Sequence, residues 1–283
     1  MWDGPIAPIS DPEEAGAAFA RALPVIAVEG PADVTPGTPC LEGARGALDA
    51  LEFAVGLTRS GAAAAVVTGP VSKAQLHAIG FVHPGQTEFV AERCGVAPEL
   101  VAMMLAGPGL RVVPVTTHVP LRQVPDLLTI DRIVTKGRAA ARGLQRQFGI
   151  AEPRLAVAGL NPHAGEEGAL GREELDVIIP AIEKLREEGQ DISGPVPPDV
   201  LFYERRRTLY DVALCMYHDQ ALIPLKTLYF DEGINITLGL PIVRTSPDHG
   251  TAFGIAGRNI AHPGAMIAAI RTAGACARRI GAA

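Results

Sequence analysis

An α/β fold is predicted, because short apolar strands alternate along the sequence with longer amphipathic helices. Apolar runs such as residues 62–67 and 212–216 are bounded by turn residues, which is typical of strands covered on both faces. Between such runs lie segments such as Ile130–Phe148, with apolar residues at helical spacing. This alternation predicts a mostly parallel sheet with helices on its faces. With 283 residues, 48% of them hydrophobic, the chain can bury one large core or two moderate ones.

The elements can be assigned in chain order. Near the N-terminus the pattern is weak: Asp11 is expected to begin a helix that continues over 15–23, and 24–28 to form a strand. Further strands are predicted over 62–67, 110–115, 154–158, 212–216 and 236–243. Further helices are predicted over 40–58, 74–78, 130–148, 173–188 and 266–280. Residues 83–88 are interpreted as an exposed turn before a helix that ends at Cys94.

Composition argues against several classes of partner. The net charge is −6 and 20% of the residues are charged, so neither nucleic acid nor an anionic membrane is an expected partner. No apolar run approaches the ~18 residues of a membrane helix, and no basic-then-apolar leader opens the sequence. The four cysteines lie far apart and form no CxxC pair. This pattern is typical of reduced thiols and predicts a cytoplasmic protein.

Polar side chains follow two of the predicted strands, at the point where each strand ends. Residues 217–220 come directly after the run 212–216, and residues 244–249 after the run 236–243. Open α/β sheets bind their ligands beyond such strand ends. Between the two runs stand Lys226 and Asn235, which with Arg244 form a set suited to an anionic substrate. The alternative is that these groups form salt bridges with nearby carboxylates.

The histidines show a second regularity. Of seven in the chain, four directly follow a predicted strand, namely His118, His163, His218 and His249. If all four share one end of the sheet, neutral imidazoles there could bind a divalent metal. The alternative is that each is a hydrogen-bonded structural residue, and the wide spacing between them does not decide the question.

A third polar cluster, which includes Lys73, follows Gly69 at a predicted strand-to-helix turn. Backbone N–H groups and a cation in that position can hold a phosphate, although a solvated lysine at a helix start is an equal alternative. The sequence contains neither a full P-loop pattern nor a G-x-G-x-x-G fingerprint. The ordinary signature of a dinucleotide site is therefore absent.

Eight short motifs occur in the order found in one known family. They are TGPVSK (68–73), GQTEF (85–89), TTHVPL (116–121), GLNPHAGE (159–166), MYHDQ (216–220), LK (225–226), INITLGLPIVRTS (234–246) and DHGTAFGIAG (248–257). From about Leu23 onwards the chain resembles the 4-hydroxythreonine-4-phosphate dehydrogenases, NAD-dependent enzymes of pyridoxal-phosphate biosynthesis.

The resemblance implies two α/β/α domains around a cleft, in a fold like that of isocitrate and isopropylmalate dehydrogenases. One domain would comprise residues 1–82 with 241–283, and the other residues 83–240. The resemblance also implies a homodimer whose active site lies at the subunit interface.

Carried over motif by motif, the resemblance assigns roles to particular residues. The implied ligands of a divalent ion (zinc, magnesium or cobalt) are His118, His163 and His218. The implied contacts of a phosphorylated amino-acid substrate are Gln86, Thr87, Lys226, Asn235 and Arg244. The implied adenosine loop for NAD or NADP contains His249, Gly250, Ala252 and Gly257. Asp219 and Asp248 would either orient an imidazole or relay a proton.

The implied reaction oxidises C3 of 4-phosphooxy-L-threonine with NAD(P) and loses CO2 to give 3-amino-2-oxopropyl phosphate. One alternative is a paralogue that acts on another phosphorylated hydroxy acid or on a dihydrodiol carboxylate. A second is a truncated, non-catalytic metal-binding homodimer, and a third is a zinc hydrolase.

The chain departs from the family pattern at three places. An N-terminal strand and GDPAGIGPE-type loop are expected to be missing. Gln86 stands where the family usually has histidine, which weakens the expected hold on an anion. Gly254 stands where an acidic residue would bind the ribose hydroxyls, and Arg258 lies nearby. The choice between NAD and NADP therefore stays open.

Overall fold

The computed structural model describes residues 4–30 and 34–281. Its strands are β1 (Ile6–Pro8), β2 (Leu23–Val25), β3 (Val66–Val67), β4 (Ala102–Gly107), β5 (Leu110–Pro114), β6 (Arg154–Ala158), β7 (Asp191–Val196), β8 (Val212–Cys215), β9 (Ile234–Leu238) and β10 (Arg244–Pro247). Its helices are α1 (Ala15–Phe19), α2 (Leu41–Ser60), α3 (Lys73–Ala78), α4 (Gln86–Arg93), α5 (Val124–Leu127), α6 (Ile130–Phe148), α7 (Ile179–Glu187), α8 (Pro198–Leu201), α9 (Glu204–Arg207), α10 (His218–Tyr229) and α11 (Gly264–Gly281).

An eight-stranded sheet forms the centre, in the order β3-β10-β9-β4-β5-β8-β6-β7, and β1 pairs with β2 in a separate small sheet. The pairs at the two flanks of the large sheet are parallel, whereas the three successive pairs from β10 to β5 are antiparallel. The α/β class is therefore confirmed, but the prediction of a mostly parallel sheet is wrong at the centre. The causes are β4, a strand absent from the sequence assignment that is antiparallel to β5 and β9, and β10, which is antiparallel to β9.

Several elements match their predictions closely because local signals specify both ends. Helix α6 spans the predicted residues, with the Thr129 side chain accepting a hydrogen bond from Arg132 N at 3.1 Å. It ends at Gly149, whose φ of 69° is the left-handed conformation of a helix C-terminus. Strand β8 is buried at every position, as its apolar run predicts.

The predicted strand over 236–243 is not one strand. Strand β9 ends at Leu238, and the chain turns at Gly239, where φ is +91°. After the turn Arg244–Pro247 forms β10, antiparallel to β9. The polar residue Arg244 therefore belongs to a buried strand, rather than to a cluster beyond a strand end.

The expectation that four histidines share one end of the sheet is also wrong for one of them. Strands β5, β6 and β8 run parallel, so the segments that carry His118, His163 and His218 leave the same edge. Strand β10 runs opposite to β5, because three antiparallel pairs separate the two strands. His249 therefore leaves the opposite edge.

Helices cover the large sheet from both sides. Helices α6, α7 and α11 pack on one face with a core that includes Leu144, Leu185 and Leu238, and α10 packs on the other face through Leu225. A third apolar cluster joins α2, α3 and α4 beside β3. The large sheet contains strands from both predicted domains, and their boundaries stay a prediction.

The remaining expectations concern the cysteines and the membrane. All four cysteines are free thiols, and Cys215 and Cys276 are buried. Among the described helices, none combines the length and apolar character needed to cross a membrane.

Replacing Gly239 by alanine is expected to lower the free energy of unfolding by about 2 to 4 kcal/mol. The new Cβ would lie 2.7 Å from the Leu100 carbonyl oxygen, at a left-handed φ that disfavours a side chain. Gly61→Ala is the matched control, because Gly61 has a φ of +83° but no atom within 4 Å of the added Cβ. Urea denaturation measures both variants, and equal losses would show that the contact with Leu100 is unimportant.

Candidate active site

A cleft of about 470 Å³ brings together most of the residues that the sequence assigned to a site. Its lining includes ten of the fourteen, namely Gln86, Thr87, His118, His218, Lys226, Asn235, Arg244, Asp248, His249 and Gly250. Lys73 also lines it. The lining does not include Ala252, Gly257, Asp219 or His163.

Two histidines form a pair on one side of this cleft. His118 follows β5 with a left-handed φ of 52°, and His218 is the first residue of α10. Their ring centroids are 5.5 Å apart. Burial lowers the pKa of the His118 imidazole, and the nearby charges of Lys73 and His218 act in the same direction. His118 is therefore neutral at pH 7 and has a lone pair available for a metal.

The third predicted ligand does not join this pair within one chain. His163 lies in the turn Pro162–Gly168, where the five residues from 163 to 167 all have positive φ. Within residues 4–30 and 34–281, no three histidine, cysteine or acidic side chains come close enough together to hold a metal ion. The single chain thus brings together only two of the three predicted ligands.

A buried carboxylate anchors the segment that leads to His163. Glu174 is only 2% exposed and accepts hydrogen bonds from Leu160 N at 2.7 Å and Asn161 N at 2.8 Å. Its other oxygen accepts from the Asn161 amide at 3.0 Å and lies only 2.6 Å from the position of a Cβ added to Gly165, whose φ is +80°. The turn therefore needs a glycine at residue 165.

Two buried side chains connect the three histidine-bearing segments. The Thr116 hydroxyl donates to Met216 O at 2.8 Å, which joins the segments of His118 and His218. Gln220 accepts from Met216 N at 2.6 Å and donates to Gly159 O at 2.7 Å, which joins the segments of His218 and His163. The three strand ends are thereby held in register.

The opposite side of the cleft contains a buried cation. Arg244 is 3% exposed and donates to Thr68 Oγ1 at 2.8 Å, directly after β3, and to Thr237 Oγ1 at 3.2 Å, on β9. Burial lowers the pKa of its guanidinium to about 10, although the charge of Glu88 opposes this, so the group stays cationic at neutral pH. Within the described chain its Nε has no hydrogen-bond partner, and neither does the buried Oδ1 of Asn235.

Gln86 and Thr87 enter the cleft from the first turn of α4. The prediction of an exposed turn over 83–88 is therefore wrong at its end, because the helix begins at Gln86 after Gly85. The Gln86 amide donates to Gly69 O at 3.0 Å and accepts from Arg244 at 3.4 Å. An uncharged side chain suits this contact with a guanidinium.

Both predicted catalytic carboxylates contact other site residues. The Lys226 ammonium lies 3.1 Å from Asp248 Oδ2 and donates to the Asp248 carbonyl at 3.3 Å, so the salt bridge weighed as an alternative does form. Asp219 Oδ1 lies 2.7 Å from His218 Nδ1. Asp219 itself stands outside the cleft lining.

The predicted adenosine loop borders the cleft at one end only. His249 and Gly250 line the cleft, whereas Ala252 and Gly257 take left-handed turn conformations with φ of 50° and 72°. Thr251 and Phe253 line a neighbouring cavity of about 280 Å³ together with Ser72.

Three further polar residues, Glu88, Thr117 and Ser246, line the cleft without having been assigned a role. Their signal in the sequence is their place inside the GQTEF, TTHVPL and INITLGLPIVRTS motifs.

The fold and the cleft define an α/β enzyme whose site combines paired imidazoles with buried and ion-paired cations. The chain matches the family described as pyridoxal phosphate biosynthetic protein PdxA over residues 2–273, and it belongs to that family.

Individual relatives agree with this assignment. A curated relative from Erythrobacter litoralis, 4-hydroxythreonine-4-phosphate dehydrogenase, is 58% identical over 97% of this chain and 82% of its own length. The crystal structure of the Klebsiella pneumoniae enzyme of that name superposes with a TM-score of 0.89, at 40% identity, and covers 98% of this chain and 84% of its own. A terephthalate 1,2-cis-dihydrodiol dehydrogenase from Burkholderia xenovorans reaches a TM-score of 0.65 at 33% identity, covering 88% of this chain and 79% of its own. The expectations of family, fold class and oxidoreductase activity are confirmed.

Replacing Gln220 by methionine is expected to lower the free energy of unfolding by about 2 to 5 kcal/mol, because Met216 N and Gly159 O lose their buried partner. Gln145→Met makes the same chemical change at an exposed side chain that donates to Ala151 O, and should cost less than about 0.5 kcal/mol. Urea denaturation compares the two. Similar small losses would mean that Gln220 does not hold the segments together.

Proposed function

We propose that the chain oxidises 4-phosphooxy-L-threonine with NAD or NADP, with decarboxylation to 3-amino-2-oxopropyl phosphate, in pyridoxal 5'-phosphate biosynthesis. The observation that supports this most is that one cleft gathers all five expected substrate contacts beside the His118–His218 pair. The names of curated relatives at 50% to 58% identity agree with it.

A divalent ion would be held by His118 and His218, with His163 as the third ligand. The donor set fits, because His118 is neutral at pH 7 and its ring lies close to that of His218. When bound, zinc, magnesium or cobalt would supply positive charge to the oxygen on C3 of the substrate. Three imidazoles do not select among these metals.

The side chains of the cleft bind and orient the substrate. Arg244 offers its unpartnered Nε to an anionic group, and the amide of Asn235 has an unpaired oxygen close by. Lys226 would exchange its contact with Asp248 for a second anionic group of the substrate. Held at two anionic ends, the substrate presents C3 in a fixed orientation.

The two acidic residues then have different roles. Asp219 holds a proton on His218 Nδ1 and fixes the ring, which leaves Nε2 free. Asp248 loses its cation when Lys226 turns to the substrate and is then free to accept a proton.

The loop that contains His249, Gly250, Ala252 and Gly257 would hold the adenosine half of NAD or NADP, and the nicotinamide half of the cofactor would supply the hydride acceptor. Its first residues border the cleft, and its left-handed turns at Ala252 and Gly257 curve the chain beside the neighbouring cavity. Gly254 provides no carboxylate to exclude a 2′-phosphate, so NADP stays an alternative to NAD.

A dihydrodiol carboxylate is the second candidate substrate, since a relative at 33% identity is named for one. The dihydrodiol of terephthalate has two carboxylates but no phosphate. The cleft lining contains three cations, Lys73, Lys226 and Arg244, which suit the higher negative charge of a phosphate together with a carboxylate.

A homodimer with its active site at the subunit interface would complete the metal ligands. Helix α10 begins with His218 and exposes Ile223 (64%), and Phe230 directly after the helix is 75% exposed. Exposed apolar side chains that lie together are typical of a subunit interface. These lie on or directly after the helix that begins with the proposed metal ligand His218.

Purified protein with added metal is expected to form NAD(P)H from 4-phosphooxy-L-threonine and to lose this activity in chelator. His218→Ala should abolish both bound metal and turnover, the latter by more than about 100-fold, because a ligand is lost. His262→Ala removes an exposed imidazole outside the cleft and is the matched control. Activity retained in chelator would contradict the metal's role, and turnover of the dihydrodiol carboxylate alone would support the second candidate. Metal binding without turnover of either would support a non-catalytic protein.

Ile223→Asp is expected to convert the dimer into monomers, because a charge would be buried at the interface. Sedimentation velocity measures the change, and metal content should fall with it. Val82→Asp introduces the same charge at another exposed apolar residue, 84% exposed, and should leave the dimer intact. A dimer unaffected by Ile223→Asp would place the interface elsewhere.

A further inference from the structure

Glu88 is a carboxylate of the cleft to which no role has been given. It lies in the first turn of α4, half-buried, and lines both the cleft and an adjoining cavity of about 540 Å³. Its charge opposes the fall in pKa that burial imposes on Arg244 and His118. Nevertheless, across the described residues it forms neither a hydrogen bond nor an ion pair.

Lys73 is a neighbouring cation, but it does not neutralise Glu88. Both side chains lie against Gly85, where an added Cβ would be 3.3 Å from Glu88 Oε2 and 3.7 Å from Lys73 Nζ. The two charged groups are nonetheless too far apart to form an ion pair. A half-buried carboxylate without a partner costs free energy, and a ligand can remove that cost by supplying a cation.

The proposed substrate carries such a cation, and this inference rests on the proposed function. Phosphooxy-threonine has a phosphate and a carboxylate, which suit Arg244 and Lys226, and it also has an α-ammonium group. Asp248 is paired with Lys226 and, once Lys226 turns to the substrate, is the residue that accepts the proton, whereas Asp219 contacts His218 from outside the cleft lining. Glu88 is therefore the one carboxylate of the described cleft lining that is free for the ammonium group.

We infer that Glu88 binds the α-ammonium group of the substrate and so selects an amino acid over the corresponding hydroxy acid. A charge-assisted hydrogen bond between these groups is stronger than one to a hydroxyl. An analogue with a hydroxyl in place of the amine would also leave the carboxylate without its counter-charge. Such a mismatch penalises the wrong substrate more than a lost contact does.

The test compares two substrates with the same phosphate, carboxylate and C3 configuration. One is 4-phosphooxy-L-threonine, and the other is its analogue with a hydroxyl in place of the amine. For the metal-loaded wild-type enzyme, kcat/KM should be higher with the amine. In Glu88→Gln, kcat/KM for the amine should fall roughly 10- to 100-fold, while that for the hydroxyl analogue should hold or rise.

Glu92→Gln is the matched control, because Glu92 lies one turn further along α4, outside the cleft lining, in contact with Arg93. Its ratio of the two kcat/KM values should equal that of the wild type. Glu88→Ala is measured in parallel and should change the ratio in the same direction as Glu88→Gln, so a folding defect in one variant does not decide the result.

The outcomes separate this inference from the function on which it rests. An equal loss on both substrates would show that Glu88 only balances Lys73 or Arg244, and would overturn the inference while the proposed function stands. A wild-type enzyme that does not oxidise phosphooxy-threonine would overturn the proposed function and the inference with it.

Discussion

Buried hydrogen bonds between strand ends hold the candidate site in shape, and the histidines depend on them. Thr116 and Gln220 tie the segments after β5, β8 and β6 to one another through main-chain atoms. Because these contacts are to backbone, each tie fixes the path of a whole segment rather than the rotamer of one side chain. Glu174 then fixes the segment after β6, because its carboxylate accepts hydrogen bonds from Leu160 N and Asn161 N. The position of each imidazole thus depends on several buried polar groups that find their hydrogen-bond partners in this arrangement of the segments.

The second constraint is electrostatic. Arg244 is enclosed between two strands, where its charge would be unfavourable without the hydroxyls of Thr68 and Thr237 and the amide of Gln86. These neutral acceptors orient the guanidinium but leave its charge uncompensated at short range. The cleft therefore has a built-in attraction for an anion, and this attraction comes from the sheet itself rather than from a mobile loop.

The sequence predicts those parts of the molecule that local signals determine. Helix α6 has a capping threonine, an apolar face and a terminal glycine, and all three are visible without a structure. Strand direction has no comparable signal, because the apolar pattern of β9 is the same for a parallel and an antiparallel strand. Strand β10 could not be recognised because it contains Arg244, a residue type that is typical of loops but is buried here. For the site, ten of the fourteen residues that the motifs assigned line one cleft. Spacing along the chain could not show that His163 would be separated from His118 and His218, because that depends on the left-handed turn that carries it.

The pairing of β3 with β10 also bears on how the chain folds. Residues 68 and 244, whose side chains meet there, are separated by 176 positions, whereas β4 and β5 are neighbours in a hairpin. Contacts between distant segments form only after a large loss of chain entropy. We therefore expect the hairpin to form early and the β3–β10 seam to close late. Arg244 would then remain hydrated through most of folding. It would lose its water only in a late step, after the other strands of the sheet have formed.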